Sequence, residues 1–254
     1  RPSKVMVSVM LSDCPYSFAR QGVTWRKRPI VAVVGEGHIW EMTDPMTPAP
    51  QSSFWRTNSL TIMALTAFIS VVTFYQWSAD EQTLDWMIRA FAVIGGSEYE
   101  GLTRPYGEAV PYIFHVLLHG NVAHLGMNML ALYALGTQLI KMFGPSLKGK
   151  FAFLAFFAFC AVGGALAQLL VWQVTDASGI AIGASSAISG LLPALGYAFG
   201  GWKGAVRNSV VWIAINVGLA LFGGAFPIPI AWAAHLGGVA AGFAVPIFLR
   251  LAWR

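Results

Sequence analysis

Charged residues are scarce in this chain, and their scarcity indicates the solvent that its residues meet. Only 11% of the 254 residues are charged, against about 25% in an ordinary soluble domain. Two cysteines exclude a disulfide framework, and no cluster interleaves basic with aromatic residues as nucleic-acid binders do. In their place, 56% of the residues are hydrophobic, and they gather in long runs. This composition predicts an all-α polytopic membrane protein that lies in a lipid bilayer and binds no nucleic acid.

Six apolar segments are long enough to cross a bilayer core of about 30 Å. Residues 1–57 differ from them, because they hold seven basic residues and a Pro/Met/Ser-rich join. We expect residues 1–57 to be a poorly specified cytosolic tail, which could lie upstream of the native start, and residues 58–254 to form the membrane domain. The predicted spans are 58–77, 121–143, 151–174, 184–201, 205–226 and 232–251.

The basic residues alternate along the chain in a way that predicts its orientation. Fourteen of the 16 lie in the tail, in the loops after the second and fourth spans, or at the C-terminal end. The other connections hold only Arg89 and Arg104, together with seven of the eleven acids. The positive-inside rule therefore predicts six spans with both termini in the cytoplasm. The short membrane core without a presequence favours a bacterial inner membrane.

The acid-rich connection between the first two spans contains an amphipathic segment at residues 83–94. At helical spacing, Leu84, Met87, Phe91 and Ile94 share one face. This pattern fits a helix lying in the plane of the membrane interface, and it fits a plain extramembrane helix equally well.

Four polar side chains in the predicted spans lie at a similar depth. Ser185 and His235 fall in the first turns of the fourth and sixth spans, which both enter from the outer face. His124 and Asn128, four residues apart on one helix face, belong to the outer part of the second span. At a rise of 1.5 Å per residue, all four lie within roughly 10 Å of one another in depth. Polar groups at membrane depth are functional by default.

Serine and histidine together can form an activated nucleophile, because imidazole takes the hydroxyl proton during attack on an acyl carbon. An acidic third member would orient the imidazole, but Asp176 in an outer loop is the only carboxylate after Ala109. The sequence therefore predicts a two-member pair, Ser185 and His235. His124 and Asn128 would supply N–H donors to a developing oxyanion.

Three short motifs carry a family resemblance: His119-x4-His124-x3-Asn128, Gly183-Ala-Ser185 and Ala234-His-Leu-Gly-Gly238. In this order and on these spans, they resemble the signature of rhomboid intramembrane serine proteases. The resemblance implies a six-helix core that needs no metal or other cofactor and cleaves single-span membrane proteins near their outer end. The implied roles are nucleophile (Ser185), general base (His235), oxyanion contacts (His124, Asn128 and the Ser185 backbone N–H), support (His119, Gly183) and close helix packing (Gly238, Gly242).

The chain also departs from the rhomboid pattern. Ser186 stands where a glycine usually follows the nucleophile, so Ser186 is an alternative nucleophile. Ser189 replaces the bulky or aromatic residue that often stacks on the catalytic histidine, and Pro193 stands where a small residue is expected. The Trp-Arg pair common in the first loop is absent.

Other functions compete with proteolysis. The first is a rhomboid-like protein that binds membrane clients without cleaving them. The second is a metal or haem site of histidines, the third is a transporter, and the fourth is a set of core polar residues with no catalytic role. The loop 223–232, apolar yet rich in proline and glycine, is expected to act as a movable cap. The sequence does not specify the substrate or the oligomeric state. The histidines that the metal or haem site would use are His115, His119, His124 and His235.

Overall fold

The computed structural model describes residues 52–222 and 230–253, and within them most of the chain is helical. The all-α prediction is therefore confirmed. One small antiparallel sheet is added, in which β1 (Val93–Gly95) pairs with β2 (Gly179–Ala181). Most of the predicted tail, and loop residues 223–229, lie outside the described residues. The helices are α1 (Ser52–Ser78), α2 (Glu81–Phe91), α3 (Pro111–Phe114), α4 (Val122–Phe143), α5 (Leu147–Thr175), α6 (Ser185–Phe222), α7 (Trp232–Gly242) and α8 (Val245–Trp253).

Several helices have the length and composition of membrane spans. Among the described residues these are Ser59–Ser78, Leu147–Thr175 and Ser185–Phe222. A fourth candidate is the pair α7 and α8, which are bent by 47° at their junction. At 22 residues α4 is long enough, but its polar side chains lower its mean hydropathy. The full set of six spans stays a prediction at this point.

The long helix α6 is in fact two helical segments that fold back on each other. Gly200 and Gly201 have non-helical backbone angles, and the positive φ of Gly201 (57°) favours glycine. On either side, Gly196 and Gly204 pack backbone to backbone, so that a Cβ on one would overlap the carbonyl of the other. Residues 185–199 and 202–222 therefore run antiparallel, as the predicted fourth and fifth spans require.

Glycines on α5, α6 and α7 bring these three helices into close contact. Gly163 lies against Gly237, where a Cβ would come within 3.0 Å of the Gly237 carbonyl oxygen. Gly238 lies against the Ser186 carbonyl, and a Cβ on Gly242 would come within 2.6 Å of Pro193 Cγ. Small residues at such crossings let helix backbones approach and gain van der Waals contact. The helix that carries His235 is thereby held against the helix that carries Ser185.

Gly238→Ala is expected to destabilise the protein by about 1–3 kcal/mol, the usual cost of overpacking a core. The new methyl group would meet backbone atoms of Ser186, which can move only if α6 and α7 separate. The midpoint of thermal unfolding in detergent micelles measures the effect. Gly126→Ala in α4 is the matched control, since a Cβ there meets nothing within 4 Å. An equal midpoint for both variants would contradict the packing argument.

In the connection between α1 and α4, helix α2 ends earlier than the predicted helix at residues 83–94. Asp80 caps α2 by accepting a 2.8 Å hydrogen bond from the Thr83 amide, and this bond lowers the pKa of the carboxyl group. The helix ends at Phe91 because Ile94 pairs with Ile180 in the sheet. The membrane-interface position of α2 stays a prediction.

The Arg104 side chain ties this connection together where the Trp-Arg pair is absent. Its guanidinium donates hydrogen bonds to the carbonyl oxygens of Arg89 (3.0 Å), Ala92 (2.8 Å) and Ile94 (3.1 Å). These carbonyls lie at the end of α2 and in β1, so one side chain bonds to the backbone on both sides of the helix-to-strand junction. Through β1 it also supports β2, which leads to Ser185.

Candidate active site

A turn with a glycine at positive φ places Ser185 at the start of α6. The turn follows β2, and its Gly183 has a φ of 113°, a conformation that side-chain-bearing residues rarely adopt. The Gly183 amide donates a 2.9 Å hydrogen bond to the His115 carbonyl oxygen. A Cβ on Gly183 would lie only 2.6 Å from His124 Nε2. The turn is thus fixed from two sides, and Ser185 stands at its end, partly exposed.

His235 reaches Ser185 from the first turn of α7. The distance from Ser185 Oγ to His235 Nε2 is 2.8 Å, within hydrogen-bond range, although 50 residues separate them in sequence. The imidazole is buried. A hydroxyl and an imidazole at this separation have the geometry of a nucleophile and its general base.

Two residues that the sequence analysis missed contact the His235 ring. Asn216 Oδ1 lies 2.7 Å from His235 Nδ1. The indole ring of Trp212 lies over the imidazole, with ring centroids 5.5 Å apart and planes inclined by 36°. Both come from the second segment of α6. An uncharged amide inside an apolar span was a usable signal for Asn216, but a search confined to carboxylates passes over it.

Ser186 points away from this pair and bonds to a different histidine. His115 Nδ1 donates to the Pro111 carbonyl at 2.9 Å, so its Nε2, 2.9 Å from Ser186 Oγ, accepts the hydroxyl proton. Both side chains are buried. The hydroxyl of Ser186 is therefore hydrogen-bonded to His115, whereas the hydroxyl of Ser185 faces His235.

Ser189, which stands at the usual aromatic position, links the two segments of α6. Its hydroxyl donates to the Ser185 carbonyl at 2.7 Å and accepts a 2.9 Å hydrogen bond from Trp212 Nε1. The small side chain leaves room for the indole ring, so the aromatic partner of His235 comes from residue 212. Pro193 is buried within residues 185–199 and does not interrupt the helix.

The remaining histidines and asparagine of the motifs lie on α4 or just before it. His124 is half-buried and lies beside Gly183, which precedes Ser185 by two residues. Asn128, one turn further along α4, is buried and donates its amide to the His124 carbonyl at 2.8 Å. The His119 ring lies edge-on to that of His124, with centroids 5.0 Å apart.

His119 also anchors the entry to α4 onto α1. Thr73 Oγ1 donates to the Leu117 carbonyl at 2.9 Å and therefore accepts from His119 Nδ1 at 3.0 Å. Gln76 pairs with the backbone of His119, accepting from its N–H (3.0 Å) and donating to its carbonyl (3.2 Å). These buried hydrogen bonds hold the HxxxxHxxxN segment in place.

The four histidines of the metal alternative do not converge on one point. Within residues 52–222 and 230–253, no three His, Cys, Asp or Glu side chains come together in a way that could hold a metal ion. His115 faces Ser186, His119 faces Thr73, and His235 faces Ser185 and Asn216. The predicted cap at 223–232 falls largely outside the described residues.

Comparison with known proteins gives matches to one family model and to curated relatives. Residues 106–252, more than half of the chain, match the family model of the Rhomboid domain. The chain is similar to Rhomboid protein 1, mitochondrial, of Saccharomyces cerevisiae: 35% identity over 136 residues, 47% of this chain and 36% of that protein. It is also similar to RHOMBOID-like protein 4 of Arabidopsis thaliana: 34% identity over 142 residues, 53% of this chain and 32% of that protein. The chain thus spans about a third of the length of these curated relatives.

Proposed function

The chain belongs to the rhomboid family, as its motifs predicted, and on this basis we propose that it is an intramembrane serine endopeptidase. The observation that carries the proposal is the 2.8 Å contact between Ser185 Oγ and His235 Nε2. Family membership alone does not establish activity, because a member that lacks either group cannot perform the chemistry. Here both groups are present and in contact.

In the proposed reaction, His235 Nε2 takes the Ser185 proton as Oγ attacks the scissile carbonyl carbon. The tetrahedral intermediate collapses when the imidazolium returns that proton to the leaving amine, and an acyl-enzyme on Ser185 remains. Water then attacks the ester, with His235 again acting as the base and then as the acid. No step needs a cofactor.

The negative charge of the tetrahedral intermediate would be stabilised at the start of α6. First-turn N–H groups of a helix have no acceptor within the helix, and the helix dipole favours an anion there. The Ser185 amide is one such donor. The proximity of His124 to Gly183 supports an oxyanion role for its ring. Asn128 would become a further oxyanion donor once its side-chain amide breaks the hydrogen bond that it donates to the His124 carbonyl.

We further propose six membrane spans with both termini in the cytoplasm. The fold-back at Gly200–Gly201 supports separate fourth and fifth spans, and the distribution of basic residues supports the orientation. Ser185 and His235 begin their helices at the outer side in this topology. The site would then act on single-span membrane proteins near their outer end, at small or helix-breaking residues where a peptide bond can leave its helical hydrogen bonds.

The membrane that houses the protein is a separate question. The helices and the family make it an integral membrane protein. The bacterial inner membrane stays a prediction from the sequence, and neither of the two relatives, from yeast and from a plant, supports it.

Covalent labelling by a fluorophosphonate probe tests the proposed nucleophile. The detergent-solubilised wild type is expected to be labelled, and Ser185→Ala to show no labelling. Ser186→Ala is the matched control, since it removes a hydroxyl one residue away that bonds to His115, and it is expected to keep its label. Loss of label in Ser186→Ala alone would move the nucleophile by one residue. A folded but unlabelled wild type would favour the protein that binds clients without cleaving them.

A further inference from the structure

We propose that Asn216 is the third member of the catalytic group: a positioning residue that accepts the His235 Nδ1 proton and so keeps Nε2 free for Ser185. This inference rests on the proposed proteolytic function. The sequence offers no acid for this place, and the structure fills it with an amide oxygen 2.7 Å from Nδ1.

The orientation of the Asn216 amide determines the tautomer of His235. Asn216 Nδ2 donates a 2.8 Å hydrogen bond to the Trp212 carbonyl oxygen, which can only accept. The other end of the amide, Oδ1, therefore faces His235, and a carbonyl oxygen can only accept as well. The proton of the neutral imidazole must then be on Nδ1. Nε2 carries the lone pair, which is the state that a general base for Ser185 requires.

Burial makes this hydrogen bond hard to replace. Asn216 is fully buried, and His235 is largely so. If Oδ1 were removed, Nδ1–H would lose its acceptor away from bulk water, and a buried unpaired donor costs about 1–3 kcal/mol. The competing tautomer, with its proton on Nε2, would avoid that cost and would not accept the serine proton.

Trp212 and Asn216 act on the imidazole from one face of the same helix segment. They are four residues apart, so their side chains are neighbours on the helix surface. The indole ring restricts the tilt of the His235 ring, and the amide fixes its rotation and its proton. The fold-back at Gly200–Gly201 brings this face over Ser185, since Trp212 bonds to Ser189, one turn beyond the nucleophile.

An amide is also the suitable third group for this location. An ionised carboxylate within a membrane span is costly unless it is paired with a positive charge. Asparagine supplies the same acceptor geometry without charge. The cost is weaker stabilisation of the imidazolium, so we expect Asn216 to contribute orientation and tautomer selection above all.

The first test is the rate of fluorophosphonate labelling in three proteins: wild type, Asn216→Leu and Asn216→Asp. Leucine has a similar volume but no acceptor, and labelling is expected to slow about 10- to 100-fold, by analogy with the loss when a residue that orients a metal-binding histidine is removed. Aspartate keeps an acceptor oxygen in either protonation state and is expected to restore most of the rate. Equal rates for wild type and Asn216→Leu, or equal losses for leucine and aspartate, would overturn the proposal.

The second test observes the proton directly and does not depend on activity. The measurement is the ¹⁵N NMR spectrum of protein labelled with ¹⁵N-histidine, in which the ring signals of His235 are identified as those that disappear in His235→Ala. The wild type is expected to show a protonated Nδ1 and an unprotonated Nε2, and Asn216→Leu is expected to lose that preference. A proton on Nε2 in the wild type would refute the proposal, even if Asn216→Leu does not fold. A folded wild type that the probe leaves unlabelled would refute the proteolytic function and leave this measurement decisive for Asn216.

Discussion

Ser185→Ala and His235→Ala are each expected to slow peptide-bond cleavage by about 10⁴- to 10⁶-fold, and the double variant by no more than either single one. The reason is that a nucleophile and its base act as a unit: without one, the other has no function to lose. Their 2.8 Å contact makes this joint action possible. The residual rate would come from substrate positioning and oxyanion contacts.

The measurement is single-turnover cleavage of a labelled single-span protein with Ala-Gly near the outer end of its span, reconstituted with the enzyme in phosphatidylcholine vesicles. Ser186→Ala serves as the control, because it leaves the Ser185–His235 contact intact and affects the buried partner of His115. We expect Ser186→Ala to lose about 1–3 kcal/mol of stability by leaving His115 Nε2 unpaired, while its cleavage rate stays near that of the wild type. Losses that add in the double variant would argue against a catalytic pair.

Gly183→Ala is expected to lower the cleavage rate by about 10²- to 10³-fold, the range for loss of one oxyanion donor. Two effects combine at this position. The φ of 113° suits glycine, and an added Cβ would lie 2.6 Å from His124 Nε2. Either His124 is displaced or the turn opens, and in both cases the ring and the start of α6 lose their alignment.

The matched control for Gly183→Ala is Gly107→Ala in the connection between α1 and α4. Gly107 also has a positive φ (80°), but a Cβ there would meet nothing within 4 Å. Both variants carry backbone strain of about 1–3 kcal/mol, and only Gly183→Ala crowds a site residue. The two are compared in the same vesicle assay after their melting midpoints have been measured. Similar activities would show that strain alone explains the effect of Gly183→Ala.

Much of the architecture could be predicted from the sequence because a bilayer restricts what an apolar run can do. A run of about 20 apolar residues must satisfy its own backbone, so helices and their approximate ends follow from composition. A contact between Ser185 and His235 could also be expected, since the charge distribution predicts the same membrane depth for both residues. The depth of a residue in the membrane is a single coordinate, and the ends of the apolar runs and the charges of the loops predict it.

The amide of Asn216 could be noticed in an apolar span, but the contacts of Asn216 and Trp212 with His235 could not be predicted, because they depend on rotation about a helix axis and on the register between two segments. Residues 185–199 and 202–222 could face each other in many registers, and the Gly196–Gly204 contact selects one. Only in that register does Trp212 reach Ser189 and His235. From the sequence alone, the serine at position 189 suggests that His235 lacks an aromatic partner. In the structure, Trp212 is that partner, and it bonds to Ser189.

Local strand formation was missed for a related reason. Residues 83–94 have helical periodicity up to Ile94, yet the last residues leave the helix to pair with Gly179–Ala181. Strands of three residues carry almost no periodic signal, and their partner lies more than 80 residues away. Tertiary pairing overrides a local preference whose free energy is small.

The arrangement of the site also has a consequence for how the protein is made. The hydroxyl of Ser185 is synthesised 50 residues before its base, and α7 must dock between α5 and α6 before the two meet. In a nascent chain whose first spans are already in the membrane, Ser185 therefore has no proton acceptor, because His235 has not yet docked beside it. If the chain has the proposed activity, proteolytic competence would arise only after α7 has been inserted, and a nascent chain that lacks α7 would not cleave neighbouring membrane proteins or other nascent copies of itself.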